Sequence, residues 1–405
     1  AGLSAVSTGG RLVDLLTFVC TGFCTGGQIL LAQQVGAKKH QEMQKTIGTL
    51  FSFTMLSAVV LGLLSIVFHN DLLRLLNTPE TAFQEAASYM VICNSGCIFI
   101  FGYNALCSIL RGMGDSKRPL VFVAIASVIN LILDLIFVAG FGLGAAGAAV
   151  ATVISQAISF LSALIYLIVK RESFGFTFSR STLKIHGPTL KILTKLGVPL
   201  AFQMAAISIS MLFVNSFVNA YGEAASAVYG AGLKLQNIPS IITQGMSTAN
   251  ASMVGQNMAA GRPDRVKQSV HTCFILNGTV YGIFILGCLL FPRQIFTIFT
   301  TDEAVLALAP TYLRISCIGF AASIFNSSFN SVINGIGFTA LSMAIGLLDS
   351  VVARISLSLL LGITLGMGLN GFFLGHALAI WVTALMAFGY YLSGHWLHYK
   401  LAVQK

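Results

Sequence analysis

The chain has 405 residues, 56% of them hydrophobic and 9% charged, whereas a soluble globular protein carries roughly 25% charged residues. That composition excludes a water-facing surface over most of the molecule. The net charge of +10 invites a nucleic-acid partner, but its placement, given below, excludes that reading.

Apolar runs of about 20 residues, each long enough to cross a hydrocarbon core, recur along the chain. In lipid every backbone group must be satisfied within its own segment or in a closed barrel, and the Gly, Ala, Leu and Ile content favours helices. The predicted spans in the first part of the chain are 8–36, 45–68, 84–110, 119–140 and 145–169. Residues 171–190 follow as a linker on the cytoplasmic side, containing "TLKIHGPTLKIL", which reads as an amphipathic helix at the membrane interface. The second part carries predicted spans at 192–220, 225–258, 266–291, 306–334, 339–364 and 369–394. The expected fold class is all-α, a polytopic membrane protein of about eleven helices.

If these spans alternate direction, the segments with Lys38, Lys39 and Lys45, with Arg111, Lys117 and Arg118, with the linker bases, with Arg262, Arg265 and Lys267, and with the C-terminal lysines share one face. They hold 17 of the 23 Lys and Arg. The opposite loops carry chiefly Arg74 and Arg293. This bias places the basic loops in the cytoplasm and the protein in the cell membrane, so the charge encodes orientation and not a ligand. The cysteine pairs Cys20/Cys24 and Cys93/Cys97 sit four apart on helix faces. They read as small residues packing helix on helix in preference to a metal pair.

The two parts are copies. "SAV" at 4–6 returns at 226–228, an offset of 222, and Gln34 and Ala37 return as Gln256 and Ala259. "NTPE" ending at Glu80 is matched by "TTDE" ending at Glu303, an offset of 223. The turn glycines Gly142, Gly144 and Gly147 return as Gly366, Gly368 and Gly371, an offset of 224. A drift of two residues means few insertions, hence a tandem duplication. The basic loops fall at equivalent places, so the copies share orientation about an axis along the membrane normal. The organisation expected is a first lobe at 1–170, the linker at 171–190 and a second lobe at 191–405. The second copy opens with a helix at 192–220 that the first copy lacks, which predicts one further span ahead of Ala1 in the full gene product.

"AVSTGG…LLAQQVGAKK", "ILRGMGDSKRPL" with "NLILD", and "GFGLGAAGAAVAT" resemble the first lobe of the MATE (multidrug and toxic compound extrusion) transporters of the MOP flippase superfamily. "AVYGAGLKLQNIP…GQNMAAGR" resembles the second lobe. The resemblance covers nearly the whole chain. It implies two six-helix bundles around a central cavity, the first incomplete here, and export of organic, cationic or amphipathic small molecules in exchange for Na⁺ or H⁺. No cofactor beyond the coupling ion, no enzyme activity and a monomer in the membrane lipid are the matching expectations.

Asp134 lies deep in the predicted span 119–140, where an acid costs about 2.5–3.5 kcal/mol on insertion scales and so needs a partner or a task. Asn130 is one turn earlier on the same face. A carboxylate and an amide oxygen make a hard-oxygen site suited to Na⁺, or to a proton. Thr152 follows the glycine turn on the next helix. The resemblance adds weight, because some prokaryotic members use an Asn and an Asp spaced by four here and a Thr on the next helix. It also implies an acid on the first helix, absent from this chain; acids in the second lobe at 192–220 and 306–334, used by other members, are absent too.

In the second copy, Asp349 and Arg354 are spaced by five, about 140° apart on an ideal α-helix, too far for an ideal mutual bridge; each is expected to pair with a neighbouring helix, and a structural ion pair or a snorkelling Arg stands beside a role in gating. His376 occupies the position of Thr152, as a hydrogen-bonded neutral ring or a proton carrier. Arg11 and Asp14 are expected to pair with each other near a helix end. Lys234 is a gating candidate. Asn326, Asn330 and Asn334 form a stripe that either lines a cavity or glues helices. Met204, Met211, Met246 and Met253 with Phe202 and Phe213 supply either an adaptable wall or packing. The alternative function is a flippase for a lipid-linked precursor, which would favour a strongly cationic cavity; Arg11, Lys234, Arg314 and Arg354 are the few cations available. No HExxH, GxSxG or Walker loop supports an enzyme.

Overall fold

The computed structural model describes residues 2–75, 78, 80–171 and 182–404, with backbone alone at 2–9, 11, 12, 75 and 81. The chain divides into two compact units, residues 1–201 and 202–405. Among the described residues there is no strand. Nine helices are long and apolar enough to cross a membrane, or ten if a bent pair is counted as one span. The protein is an all-α, multi-pass membrane protein.

Unit 1 contains α1 (Gly2–Gly36), α2 (His40–Val67), α3 (His69–Leu75), α4 (Glu80–Ser95), α5 (Cys97–Gly112), α6 (Lys117–Asp134), which runs into a π-helix at Leu135–Gly140, and α7 (Gly144–Val169). The single span expected at 84–110 is instead the pair α4 and α5, bent by 47° at Gly96. Gly96 lies against Val153: a Cβ there would stand 2.7 Å from the Val153 side chain, so only glycine fits this contact. α1 packs on α2, α4 and α5, and α7 packs on α4, α5 and α6. Cys20, Cys24 and Cys97 are buried beside Phe101 and Ala105 in one cluster. They act there as small apolar residues, and no group of His, Cys, Asp or Glu able to hold a metal occurs among the described residues. Asp115, in the "GMGDSKRP" turn, accepts from the Arg118 amide at 3.1 Å and from the Tyr166 hydroxyl at 2.8 Å, which ties the start of α6 to α7.

Most of the linker, residues 172–181, lies outside the described residues. The separate amphipathic helix expected at "TLKIHGPTLKIL" is not formed. Residues 182–186 are non-helical, and α8 (Gly187–Asn219) begins at Gly187 with Pro188 in its first turn, where a missing N–H costs nothing. The 182–186 stretch is held on α2: Ser52 donates to the Leu183 carbonyl at 2.6 Å, and the His186 amide donates to Thr49 at 3.0 Å. The division between units falls inside α8, because its first half packs on α1. A Cβ on Gly197 would stand 2.6 Å from the Phe23 Cα.

Unit 2 contains the rest of α8, α9 (Glu223–Ala259), α10 (Pro263–Leu290), α11 (Pro292–Thr297), α12 (Glu303–Gly335), α13 (Thr339–Leu347), α14 (Ile355–Leu359) and α15 (Gly368–Leu392). Two π-helices, Leu348–Arg354 and Leu360–Thr364, flank α14. α9 is as long as any span but carries Lys234, Gln236, Asn237, Thr243 and Asn250, which is why it falls short of the apolar threshold. α12 forms the middle of the unit, packing on α9, α10 and α15. Aromatic rings fill the core, with Tyr312 edge-on to Phe373 at 4.8 Å. Asp302 caps α12 by accepting from the Ala304 amide at 2.9 Å.

The duplicated glycines make the same turn twice. Gly142 and Gly144 have φ of 67° and 55°, and Gly366 and Gly368 have 66° and 58°. Each pair follows a π-helix and starts the next helix. These are left-handed positions that a Cβ disfavours.

Candidate functional site

In unit 1 the sequence candidates sit at the junction of α6 and α7. Phe137 packs on Gly147, and this contact sets the register of the antiparallel hairpin. Thr152 then lies at the level between Asn130 and Asp134. Its hydroxyl donates to Ala148 of its own helix at 2.9 Å, so the hairpin brings the three residues to one level without bonding them. Depth in the sequence predicts a buried acid. Asp134 is half-buried, since α6 packs chiefly on α7 and most of its side chains are exposed. One carboxylate oxygen, Asp134 Oδ1, and the Asn130 amide nitrogen are nevertheless shielded and without a hydrogen-bond partner among the described residues.

Two groups the sequence reading did not assign to this site lie close by. The Tyr89 hydroxyl on α4 is within electrostatic reach of both Asp134 and Asp14, and it bonds to Cys93. Asp14, expected to pair with Arg11, is exposed and belongs to this neighbourhood; the Arg11 side chain is outside the described ones. The duplication contained a signal for Tyr89, because Tyr312 stands 223 residues later. Tyr89 thus lies within reach of each carboxylate, and Asn130 is one turn from Asp134; these are hard-oxygen groups of the kind that Na⁺ or a proton prefers.

In unit 2 the expectation for Asp349 and Arg354 is corrected. They form a direct ion pair, Arg354 Nη2 to Asp349 Oδ2 at 2.9 Å, with both side chains almost fully buried. The reason is the π-helix at 348–354, whose i→i+5 turn brings residues five apart onto one face. His376 is buried, and its Nδ1 is 3.2 Å from the Tyr229 hydroxyl. Asn330 accepts from Ser342 at 3.1 Å, and Ser342 also reaches Gln203 at 3.2 Å, so this asparagine ties α12 to its neighbours. Asn326 is half-buried, and Asn334 Oδ1 is shielded and unpartnered among the described residues. Lys234 is exposed on α9. Met253 and Phe202 are exposed, as residues facing lipid would be.

The chain is 30% identical over 394 residues to the probable multidrug resistance protein YoeA of Bacillus subtilis, covering 96% of this chain and 85% of that protein. It is 29% identical over 404 residues to the probable multidrug resistance protein YpnP of the same organism, covering 100% and 89%. Its fold matches a solved outward-facing multidrug resistance MATE family transporter of the MOP superfamily with a TM-score of 0.92 at 21% identity, over 98% of this chain and 89% of that one. The MatE family model matches residues 1–136 and 199–360, one stretch in each copy. The chain therefore belongs to the MatE family of membrane transporters, which are not enzymes.

Proposed function

We propose that this protein is a secondary antiporter that exports organic, cationic or amphipathic small molecules in exchange for Na⁺ or H⁺. The observation that carries the reading is Asp134 with Asn130 one turn away in a spanning segment of a MatE family chain, with Tyr89 within reach of the acid. A carboxylate in a spanning segment is costly unless it has a function, and one oxygen of Asp134 is shielded without a partner among the described residues. In this reading Asp134 takes the ion, Asn130 supplies a neutral oxygen, and Asp14 with Tyr89 sets the local charge. Thr152 contributes its hydroxyl from the next helix. The relatives named for multidrug resistance and export support an organic substrate, and the flippase alternative gains no such support. The test is efflux from proteoliposomes with the Na⁺ and pH gradients set independently. Efflux that follows one gradient names the coupling ion, and efflux that follows neither rejects the antiporter.

The same reading puts the protein in the cell membrane with the basic loops in the cytoplasm. Lys184, exposed at the described end of the linker, is a convenient reporter. In a background with the eight native cysteines replaced, Lys184→Cys should resist an impermeant thiol reagent added to intact cells and react after permeabilisation. Ready labelling in intact cells would reverse the orientation.

A further inference from the structure

Unit 2 contains the duplicate of the unit 1 site, and its polarity is inverted. The offsets of 222 to 224 carry Asp14 to Gln236, Tyr89 to Tyr312, Asn130 to Arg354, Asp134 to Ser358 and Thr152 to His376. Two carboxylates have become an amide and a hydroxyl, and an amide has become a guanidinium. Three of the five duplicated residues share one cavity, whose lining does not include Arg354 or Ser358. Gln236, Tyr312 and His376 line one small cavity with Tyr229 and Ser316, with room for about one water-sized group. His376 and Tyr229 both lie within electrostatic reach of Arg354. Ser358 lies against Gly375, the residue before His376: a Cβ on Gly375 would stand 2.8 Å from the Ser358 hydroxyl.

Hydrogen-bond accounting points to the ligand. Arg354, Ser358 and His376 are all more than nine-tenths buried. Arg354 Nε and Nη1, Ser358 Oγ and His376 Nε2 have no partner among the described residues, and neither has Asp349 Oδ1. Buried polar groups are almost always satisfied, so such a cluster calls for an occupant. The guanidinium nitrogens can only donate. The Ser358 hydroxyl is free to donate as well. Ser323, Ser328 and Ser350 each spend their hydroxyl on the carbonyl four residues back, and Ser358 does not. Against these donors stands one obligate acceptor, Asp349 Oδ1. An occupant that accepts several hydrogen bonds at once fits better than water, which accepts two.

We propose that unit 2 binds a small monovalent anion of the halide class at Arg354, Ser358 and His376. Asp349 takes only the Nη2 end of the guanidinium. It compensates the buried charge when no anion is present, and it competes with the anion when one arrives. In the first copy Ile125 occupies the Asp349 position, where no guanidinium needs compensation. The proposal stands apart from the antiport reading, which concerns unit 1.

The test uses the purified full chain in nanodiscs, with potassium chloride exchanged for potassium gluconate at constant ionic strength and pH. A ligand that binds only the folded state raises the unfolding temperature saturably, and chloride should do so for the wild type. Asp349→Asn removes the competing carboxylate, so half-saturation should fall by about tenfold or more, as expected when a like charge leaves a site. The double variant Asp349→Asn with Arg354→Gln should lose the chloride response. Equal unfolding temperatures in chloride and gluconate for wild type and Asp349→Asn overturn the proposal, as does a chloride response that survives in the double variant. If the variants do not fold, crystals of the wild type grown in bromide decide. An anomalous peak within hydrogen-bond distance of Arg354 supports the site, and a water there without anomalous signal overturns it.

Discussion

Asp134→Asn should abolish gradient-driven efflux while leaving the amount of folded protein near the wild-type level. The substitution keeps the side chain's shape. Asp134 is half-buried and its shielded oxygen has no partner among the described residues, so no hydrogen bond or packing contact is lost. What is lost is the charge that takes up the ion. An amide next to Asn130 still offers oxygen, but it neither carries a proton nor balances Na⁺. The measurement is efflux from proteoliposomes at matched protein content, with binding of substrate followed separately. Substrate binding should survive. Efflux at the wild-type rate would remove Asp134 from the coupling role and leave Asp14 as the acid to examine. Tyr89→Phe is the graded companion: it removes a hydroxyl within electrostatic reach of both acids and should alter the ion dependence of efflux without abolishing it.

A large effect on stability is expected at Gly371. A Cβ there would stand 2.5 Å from the Gly362 nitrogen and from the Leu361 carbonyl carbon and oxygen. These are backbone atoms on the opposing π-helix, and they cannot move aside as a flexible side chain would. Overpacking a core typically costs about 1–3 kcal/mol, occasionally more, and a contact against fixed backbone belongs at the top of that range. Gly371→Leu should therefore abolish or sharply reduce folded protein, read as monodisperse yield and unfolding temperature in detergent. Gly389→Leu is the control in the same helix. Gly389 is exposed with nothing within 4 Å of its Cβ position, so the change should stay within about 0.5 kcal/mol of wild type. A normal yield for Gly371→Leu would mean that α15 and the π-helix do not approach as closely as described.

The π-helices at 135–140, 348–354 and 360–364 matter for the site and for the packing. They shift the face on which the following residues fall, and so they set which side chains meet across each hairpin. On an α-helical wheel Asp349 and Arg354 point apart, and the pair was invisible for that reason. The bend at Gly96 is a comparable case. The apolar run from 84 to 110 is continuous in sequence, and nothing in its periodicity marks the break; the side chain of Val153, distant in sequence, makes the glycine necessary.

The sequence by itself determined the membrane environment, the helical class, the duplication with its 222–224 offset and the candidate residues Asn130, Asp134, Thr152, Asp349, Arg354 and His376. These follow from composition, run length and spacing, which are properties of a single strand of text and need no partner. Only the tertiary structure decided which of these residues meet. It brought Tyr89 within reach of both Asp14 and Asp134, joined Asp349 to Arg354 through a π turn, and left Thr152 bonded to its own helix. Such outcomes depend on helix register and local winding, set by close contacts such as Gly147 on Phe137 and Gly371 on Gly362. A shift of one residue in either contact rotates a side chain by about 100° around its helix, and no pattern within one helix records that choice.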